Sequence, residues 1–249
     1  VLNYALASAA LHLREEHIPL IVRHLGNPMT QQVAQDALAA YGARIEEPLR
    51  RLLRDPRQRS AIRRAVPDVL ARLGSQKAAD ILTAELAHDD GEEMDRDIVA
   101  ALYRIRADRP GVRFREKHIH AAVRTHLRKA AAAVLAQAGA SGKRSGDGGR
   151  HPEARLGMKI KLVFDLLTLV YPAEDIVKAY QNIEQGTRKS VDYSLELLDN
   201  LLAHDLKALL FPLVEDLPPQ ERARRLSKAL RGGSPARPWR RLKSRGSVV

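Results

Sequence analysis

The chain has 249 residues, 45% of them apolar, 29% charged and only 4% aromatic, with no cysteine and a net charge of +12. Its length and apolar share fit one large folded domain or two modest ones, and the missing cysteine excludes disulfides, thiolate metal sites and cysteine nucleophiles while fitting a reducing compartment. The charge is balanced over residues 1–110 and slightly acidic over 156–218, so the basic excess lies in 111–155 and 219–249, where a polyanion or an acidic membrane surface would find it.

The first predicted helical unit runs from Ile18 to Tyr41. Ile18, Ile21, Val22 and Leu25 form one stripe, Asn27-Pro28 signals a turn, and Val33, Ala34, Ala37, Leu38 and Tyr41 form the next stripe before Gly42. Ile45, Leu49, Leu52 and Leu53 follow, and Asp55-Pro56 repeats the turn signal. LGNP at 25–28 answers LRDP at 53–56, and AAYG at 39–42 answers ARLG at 71–74. Such spacing is that of stacked helix pairs.

The best-formed stretch is Ala61–Leu86. Ile62, Val66, Val69, Leu70 and Leu73 share one helix face, while Arg63, Arg64, Asp68 and Arg72 point elsewhere. Pro67 inside this helix is expected to kink or restart it. Gly74 stops the helix, and Ser75 is placed to cap a second one that turns Ala79, Ile81, Leu82 and Leu86 inward. A lone hairpin cannot bury both stripes, so neighbours are expected on either side.

The acidic run Asp89, Asp90, Glu92, Glu93, Asp95 and Asp97 reads as a solvated loop, its order not being that of a calcium loop. It leads into a helix carrying Met94, Ile98, Ala101, Leu102 and Ile105. After the break at Arg109-Pro110-Gly111, a long helix is predicted from Phe114 to Gln137, with Ile119, Val123, Leu127, Ala130, Ala131, Val134 and Leu135 on its apolar side. Residues 139–155 are glycine-rich and polar and read as a basic flexible linker.

A second block begins at Leu156, with Ile160, Val163, Phe164, Leu167 and Val170 inward, followed by a short helix with Ile176, Val177 and Tyr180. Gly186-Thr187 turns the chain into a helix with Val191, Leu195, Leu198 and Leu202 inward. Asp205 is expected to cap the next helix, which ends near Phe211-Pro212, and Pro218-Pro219 opens a basic helix with Ala223, Leu226 and Leu230 on one side. The expected organisation is a helical block over 1–138, the linker 139–155, a helical block over 156–231 and a basic disordered tail over 232–249. The fold class is all-α, an α-solenoid of antiparallel helix pairs.

No stretch approaches the ~20 apolar residues of a membrane span, and no basic leader precedes the first apolar run, so a cytoplasmic chain is expected, reaching at most the inner face of the membrane. The start at Val1 reads as a fragment or a processed product.

IRRAVPDVLARLG followed by AADILTAEL, with a proline in the first helix, resembles HEAT-type repeats. ALAAYG (37–42), IRRAVPDVLARLGSQKAADIL (62–82), ALYRIR (101–106) and YPAEDIVKAYQNIEQGTRKSVDYSLELLDNLL (171–202) resemble, in this order, the soluble HEAT region attached to bacterial ADP/ATP-carrier-type, major-facilitator-like transporters. The resemblance covers roughly residues 15 to 215. It implies an accessory cytosolic solenoid that regulates a linked membrane domain or docks a protein partner. No residue of the carrier domain has a counterpart here, so transport is not assigned to the chain.

Catalytic signals are few. His118 and His120 would point to opposite sides of a helix, and with His126, His12, His17 and His24 they form no metal-ligand pattern. Asp192, Glu196 and Asp199 share one helix face and read as an exposed acidic ridge. GKRSG at 142–146 lacks the spacing of a phosphate loop. No enzyme activity, cofactor, metal or small-molecule substrate is therefore expected.

Arg50, Arg51, Arg54, Arg57, Arg59, Arg63 and Arg64 cluster at the second repeat turn. Arg51, Arg54, Arg57, Arg63 and Arg64 are candidate phosphate contacts, as in HEAT-like DNA glycosylases, but the block is neutral and poor in the aromatics that base handling needs. Arg63, Arg64 and Arg72 read better as salt-bridge partners between repeats. The tail residues Arg237, Trp239, Arg240, Arg241, Lys243 and Arg245 are the stronger candidates for weak contact with anionic lipid or nucleic acid. The leading reading is a non-enzymatic interaction or regulatory module, with a nucleic-acid-binding, DNA-repair-glycosylase-like protein as the alternative.

Overall fold

The computed structural model describes residues 12–86, 91–140 and 152–232, together with Ser8 and His88. Among the described residues there is no strand. The elements are α1 (Ile18–His24), α2 (Gln31–Ala39), α3 (Glu46–Arg54), α4 (Ser60–Leu73), α5 (Gln76–Glu85), α6 (Glu92–Asp108), α7 (Glu116–Ala140), α8 (Pro152–Thr168), α9 (Ala173–Gln185), α10 (Arg188–Leu201), α11 (His204–Val214) and α12 (Pro219–Arg231). The fold is an all-α solenoid of helix pairs. The linker expected over 139–155 is narrower: α7 runs to Ala140 and α8 begins at Pro152, so 152–155 are helical, and the residues between lie outside those described, as do the tail residues from 233 on.

The chain forms two compact units, Val1–Ala122 with Asp165–Val170, and Val123–Phe164 with Tyr171–Val249. In the first, α1 pairs with α2, α3 with α4 and α5 with α6; α2, α4 and α6 lie side by side in one layer, and α3 and α5 in the other. Helix α4 is the hub, touching α1, α2, α3, α5 and α6. Its sequence explains why: Ile62, Ala65, Val66, Val69, Leu70 and Ala71 are all buried, so apolar side chains face several neighbours at once rather than one. Full burial of a leucine such as Leu70 is worth about 1.5–3 kcal/mol.

Pro67 does not restart α4; one helix runs from Ser60 to Leu73 with Pro67 buried inside. The proline withholds one hydrogen bond from the Arg63 carbonyl, a loss that packing against α2 and α6 offsets. Gly74 ends α4 in the left-handed region at φ +59°, where a side chain would be strained. Ser75 then accepts a hydrogen bond from the Ala78 amide at 2.9 Å and caps α5. The Ser75 hydroxyl donates in turn to Glu46, a nearly fully buried carboxylate on the first turn of α3 whose other oxygen lies 3.7 Å from Lys77 Nζ. One serine thus stitches α5 to the helix beside it in the same layer.

The acidic run lies at a helix N-terminus, where the positive end of the helix dipole favours acids as the sequence predicts: α6 begins at Glu92, with Glu92, Glu93, Asp95 and Asp97 in its first turns. Glu93 is exposed, whereas Asp95 is buried rather than solvated. Asp89 and Asp90 lie outside the described residues. At the far end of α6, Tyr103 donates to the Asp165 carbonyl at 2.9 Å. Arg106 donates to the Thr168 carbonyl at 2.6 Å and to that of Leu169, with its guanidinium 5.0 Å above the Phe114 ring. These bonds satisfy carbonyls at the end of α8 that no helical amide can reach. Burial lowers the Arg106 pKa from its ordinary value.

In the second unit, α9 packs on α10 and α11 on α12, with α10 touching α11. Ile176 and Ala179 are the buried residues of α9, while Val177 is 45% exposed. Thr187 caps α10, accepting from the Ser190 amide. Asp205 does not cap α11 as expected: Ala203 holds that position, and the Asp205 carboxylate lies 2.6 Å from Arg124 of α7, a stronger partner than a backbone amide. Helix α11 ends at Val214, near Phe211-Pro212 as the sequence predicts, with Pro212 and Leu213 buried in its last turn.

Candidate functional site

The layer of α2, α4 and α6 carries an open groove of about 450 Å³. Gln31, Gln32 and Gln35 of α2 form one wall, Arg64, Ala65, Pro67 and Asp68 of α4 the floor, and Asp97, Ala100 and Arg104 of α6 the other wall. The arrangement follows from helical spacing. On α4, Arg64, Asp68 and Arg72 recur every four residues on the side away from the apolar stripe. On α2, Gln31 is half-buried beside Ala34 and Leu38, Gln35 is buried, and Gln32 turns outward.

Guanidinium–carboxylate pairs tie the three helices together. Arg64 reaches Asp97 at 2.6 Å and Glu93 at 2.5 Å, both on α6. Arg72 pairs with Asp36 of α2, donates to Gln35 Oε1 at 3.2 Å and lies 3.9 Å from Asp68, which also pairs with Arg104 of α6. The hydrogen bond to Asp97 raises the Arg64 pKa further above its ordinary value. Each such pair at a surface contributes about 0–1 kcal/mol. Their larger effect is to fix long side chains in register along the groove, so a ligand meets donors and acceptors already oriented.

The other arginines expected as phosphate contacts are divided among separate places. Arg54 lies 3.0 Å from the buried Glu85 and donates to His88 at 3.1 Å. Arg63 donates to the Leu53 carbonyl at 2.7 Å. Arg51 is exposed, 3.6 Å from Glu47, and Arg57 is exposed in the turn before α4. Of the five, Arg64 faces the groove, and it does so already paired. Arg237, Trp239, Arg240, Arg241, Lys243 and Arg245 lie outside the described residues. Asp192, Glu196 and Asp199 are exposed, and Asp199 meets Lys207 of the next helix at 2.9 Å. His126 is buried in α7, and burial, with the charges of Lys117 and Arg115, lowers the His118 pKa.

Sequence reasoning missed Gln31, Gln32, Gln35, Asp36 and Arg104. The available signal was a polar residue, Gln35, within the buried side of α2, and polar residues at the edges of the α2 and α6 stripes. No His, Cys, Asp or Glu cluster among the described residues is arranged to hold a metal ion, and none of their helices is long and apolar enough to cross a membrane. A family profile of HEAT repeats matches residues 17–103, which spans α1 to α5 and most of α6. No curated protein and no solved structure matches the chain.

Proposed function

We propose that the chain is a non-enzymatic HEAT-repeat interaction or regulatory module that binds a protein segment along the groove of α2, α4 and α6. The carrying observation is the groove itself: open, crossing three successive helix pairs, and lined by amides and pre-paired charges at the part of the chain that the HEAT profile matches. Helical repeats present such continuous surfaces because each pair adds one more strip to the same face. The groove's carboxylates answer guanidinium groups at contact distance, an arrangement for recognition rather than for proton transfer in a dry cleft. Against a DNA-glycosylase-like role stands this same balance of charge, since phosphate binding needs unanswered cations.

The finer reading is that the module is the cytosolic accessory part of a transporter-like membrane protein, at the inner face of the membrane. It is supported by the four stretches that resemble the HEAT region of ADP/ATP-carrier-type transporters. The basic tail would add weak contact with anionic lipid or nucleic acid. Photo-crosslinking in the cell, with a photoreactive residue in place of Gln32, Ala100 or, as a control, the exposed Tyr193, tests both levels. Gln32 and Ala100 should give one shared protein adduct that Tyr193 does not, and R64E/R104E should abolish it. Failure of the groove positions to exceed the control overturns the module reading, whereas a shared adduct without membrane spans overturns only the transporter link.

A further inference from the structure

Helix α12 spends its apolar side on α11 and keeps a row of cations for solvent. Leu226 is fully buried, Ala223 and Leu230 are half-buried, and Arg224, Lys228 and Arg231 are exposed at i, i+4 and i+7. The three cations surround one shallow depression of about 450 Å³ that Gly232 closes. Arg128 of α7, also exposed, arrives at the same end of the helix and donates to the Leu230 carbonyl at 3.4 Å.

The acids nearby are already shared. Glu221 serves Arg224 and Arg225 at 2.8 Å each, and these two guanidiniums hold its carboxyl down at about 2. Glu215 lies 3.0 Å from Arg225. Lys228 and Arg231 make no ion pair among the described residues. The helix dipole places only about half a negative charge at the C-terminus, which Arg128 answers from α7.

From this geometry we infer that Arg128, Lys228 and Arg231, with Arg224 beside them already shared with Glu221, form a site for the phosphate backbone of a duplex nucleic acid. The inference is independent of the groove on α2, α4 and α6. Seven residues of helix place the row of three cations along about 10 Å, a line of positive charge suited to a line of phosphates that carries one charge per ~1.7 Å of duplex. A membrane is the poorer partner. Binding of an amphipathic helix to a bilayer grows with the apolar area it inserts, and the apolar side of α12 is turned onto α11.

The test uses the full chain with the tail neutralised as R237Q/R240Q/R241Q/K243Q/R245Q, so that residues beyond the site contribute no charge. Binding to a short duplex DNA is followed by fluorescence anisotropy across a salt series. The duplex should still bind at low salt, and adding R128Q/K228Q/R231Q should flatten the slope of log K against log salt by about 3, near 0.9 for each phosphate that is no longer neutralised. R23Q/R44Q, at two exposed cations of the first unit, should leave the slope unchanged, and circular dichroism checks that each variant is folded. The site is overturned if the tail-neutralised chain does not bind the duplex, if the triple substitution leaves the slope unchanged, or if vesicles of phosphatidylcholine and phosphatidylglycerol bind as tightly per phosphate and lose as much on substitution.

Discussion

Replacing Ser75 by alanine perturbs two bonds at once. The hydroxyl caps α5 through the Ala78 amide at 2.9 Å, and it donates to the nearly fully buried Glu46 of α3. Loss of a serine cap costs about 1 kcal/mol, and a buried acceptor deprived of its donor costs about 1–3 kcal/mol. Lys77, at 3.7 Å from the carboxylate, relieves part of the second cost, so S75A should destabilise the first unit by about 2–3 kcal/mol. At 2–4 °C per kcal/mol for a chain of this size, Tm should fall by about 5–10 °C. Glycine is a tolerable cap and costs only a few tenths there, so S75G isolates the Glu46 bond and should lose about 1–2 kcal/mol; S75T keeps the hydroxyl and should stay within about 0.5 kcal/mol of the parent. Urea denaturation followed by far-ultraviolet circular dichroism reads all three. If S75G matches the parent, or S75T falls as far as S75A, Glu46 does not depend on this hydroxyl and the stitch between α3 and α5 is refuted.

Leu70, fully buried at the hub helix, should cost about 2–5 kcal/mol when cut to alanine, read by the same denaturation experiment; a loss below about 1 kcal/mol would remove α4 from the centre of the unit. A double-mutant cycle on R64A and D97A should return a coupling of about 0.5–1 kcal/mol from the 2.6 Å pair, and zero coupling would mean that this wall of the groove is not fixed by charge. Glu221 is held at about 2, below its ordinary 4.5, by its hydrogen bonds to Arg224 and Arg225. Because the folded value is the lower one, its stabilising effect is complete above the ordinary value and is lost as pH falls toward 2; carboxyl NMR titration should show the depressed midpoint, returning toward 4.5 in R224Q/R225Q.

The hairpin of α4 and α5 was legible because everything that specifies it is local: an apolar stripe, Gly74 to stop it and Ser75 to restart it, all within one stretch of sequence. The groove was not. Its pairs join Arg72 to Asp36 and Arg64 to Asp97, residues more than thirty positions apart, and nothing in a single helix says which charge on the next will answer it. Within the acidic start of α6 the spacing does not tell which acid is buried: Asp95 is, while Glu93, paired with Arg64, stays exposed. Local rules for helix ends locate the stop near Pro212 but misplace the cap, since a distant arginine takes the Asp205 carboxylate.

The return of residues 165–170 to the first unit, where Tyr103 and Arg106 hold the end of α8, bears on how the protein is made. When Ala122 leaves the ribosome, the carbonyls that Tyr103 and Arg106 will engage have yet to be synthesised. At about 5–20 residues per second, Val170 follows roughly 2–10 s later. During that interval the hairpin of α4 and α5 is already available to nucleate the stack while the far end of α6 waits for its last partners. The nascent chain therefore passes through a stage in which one end of the unit is assembled and the other is open, and it is at the open end that a chaperone would find it.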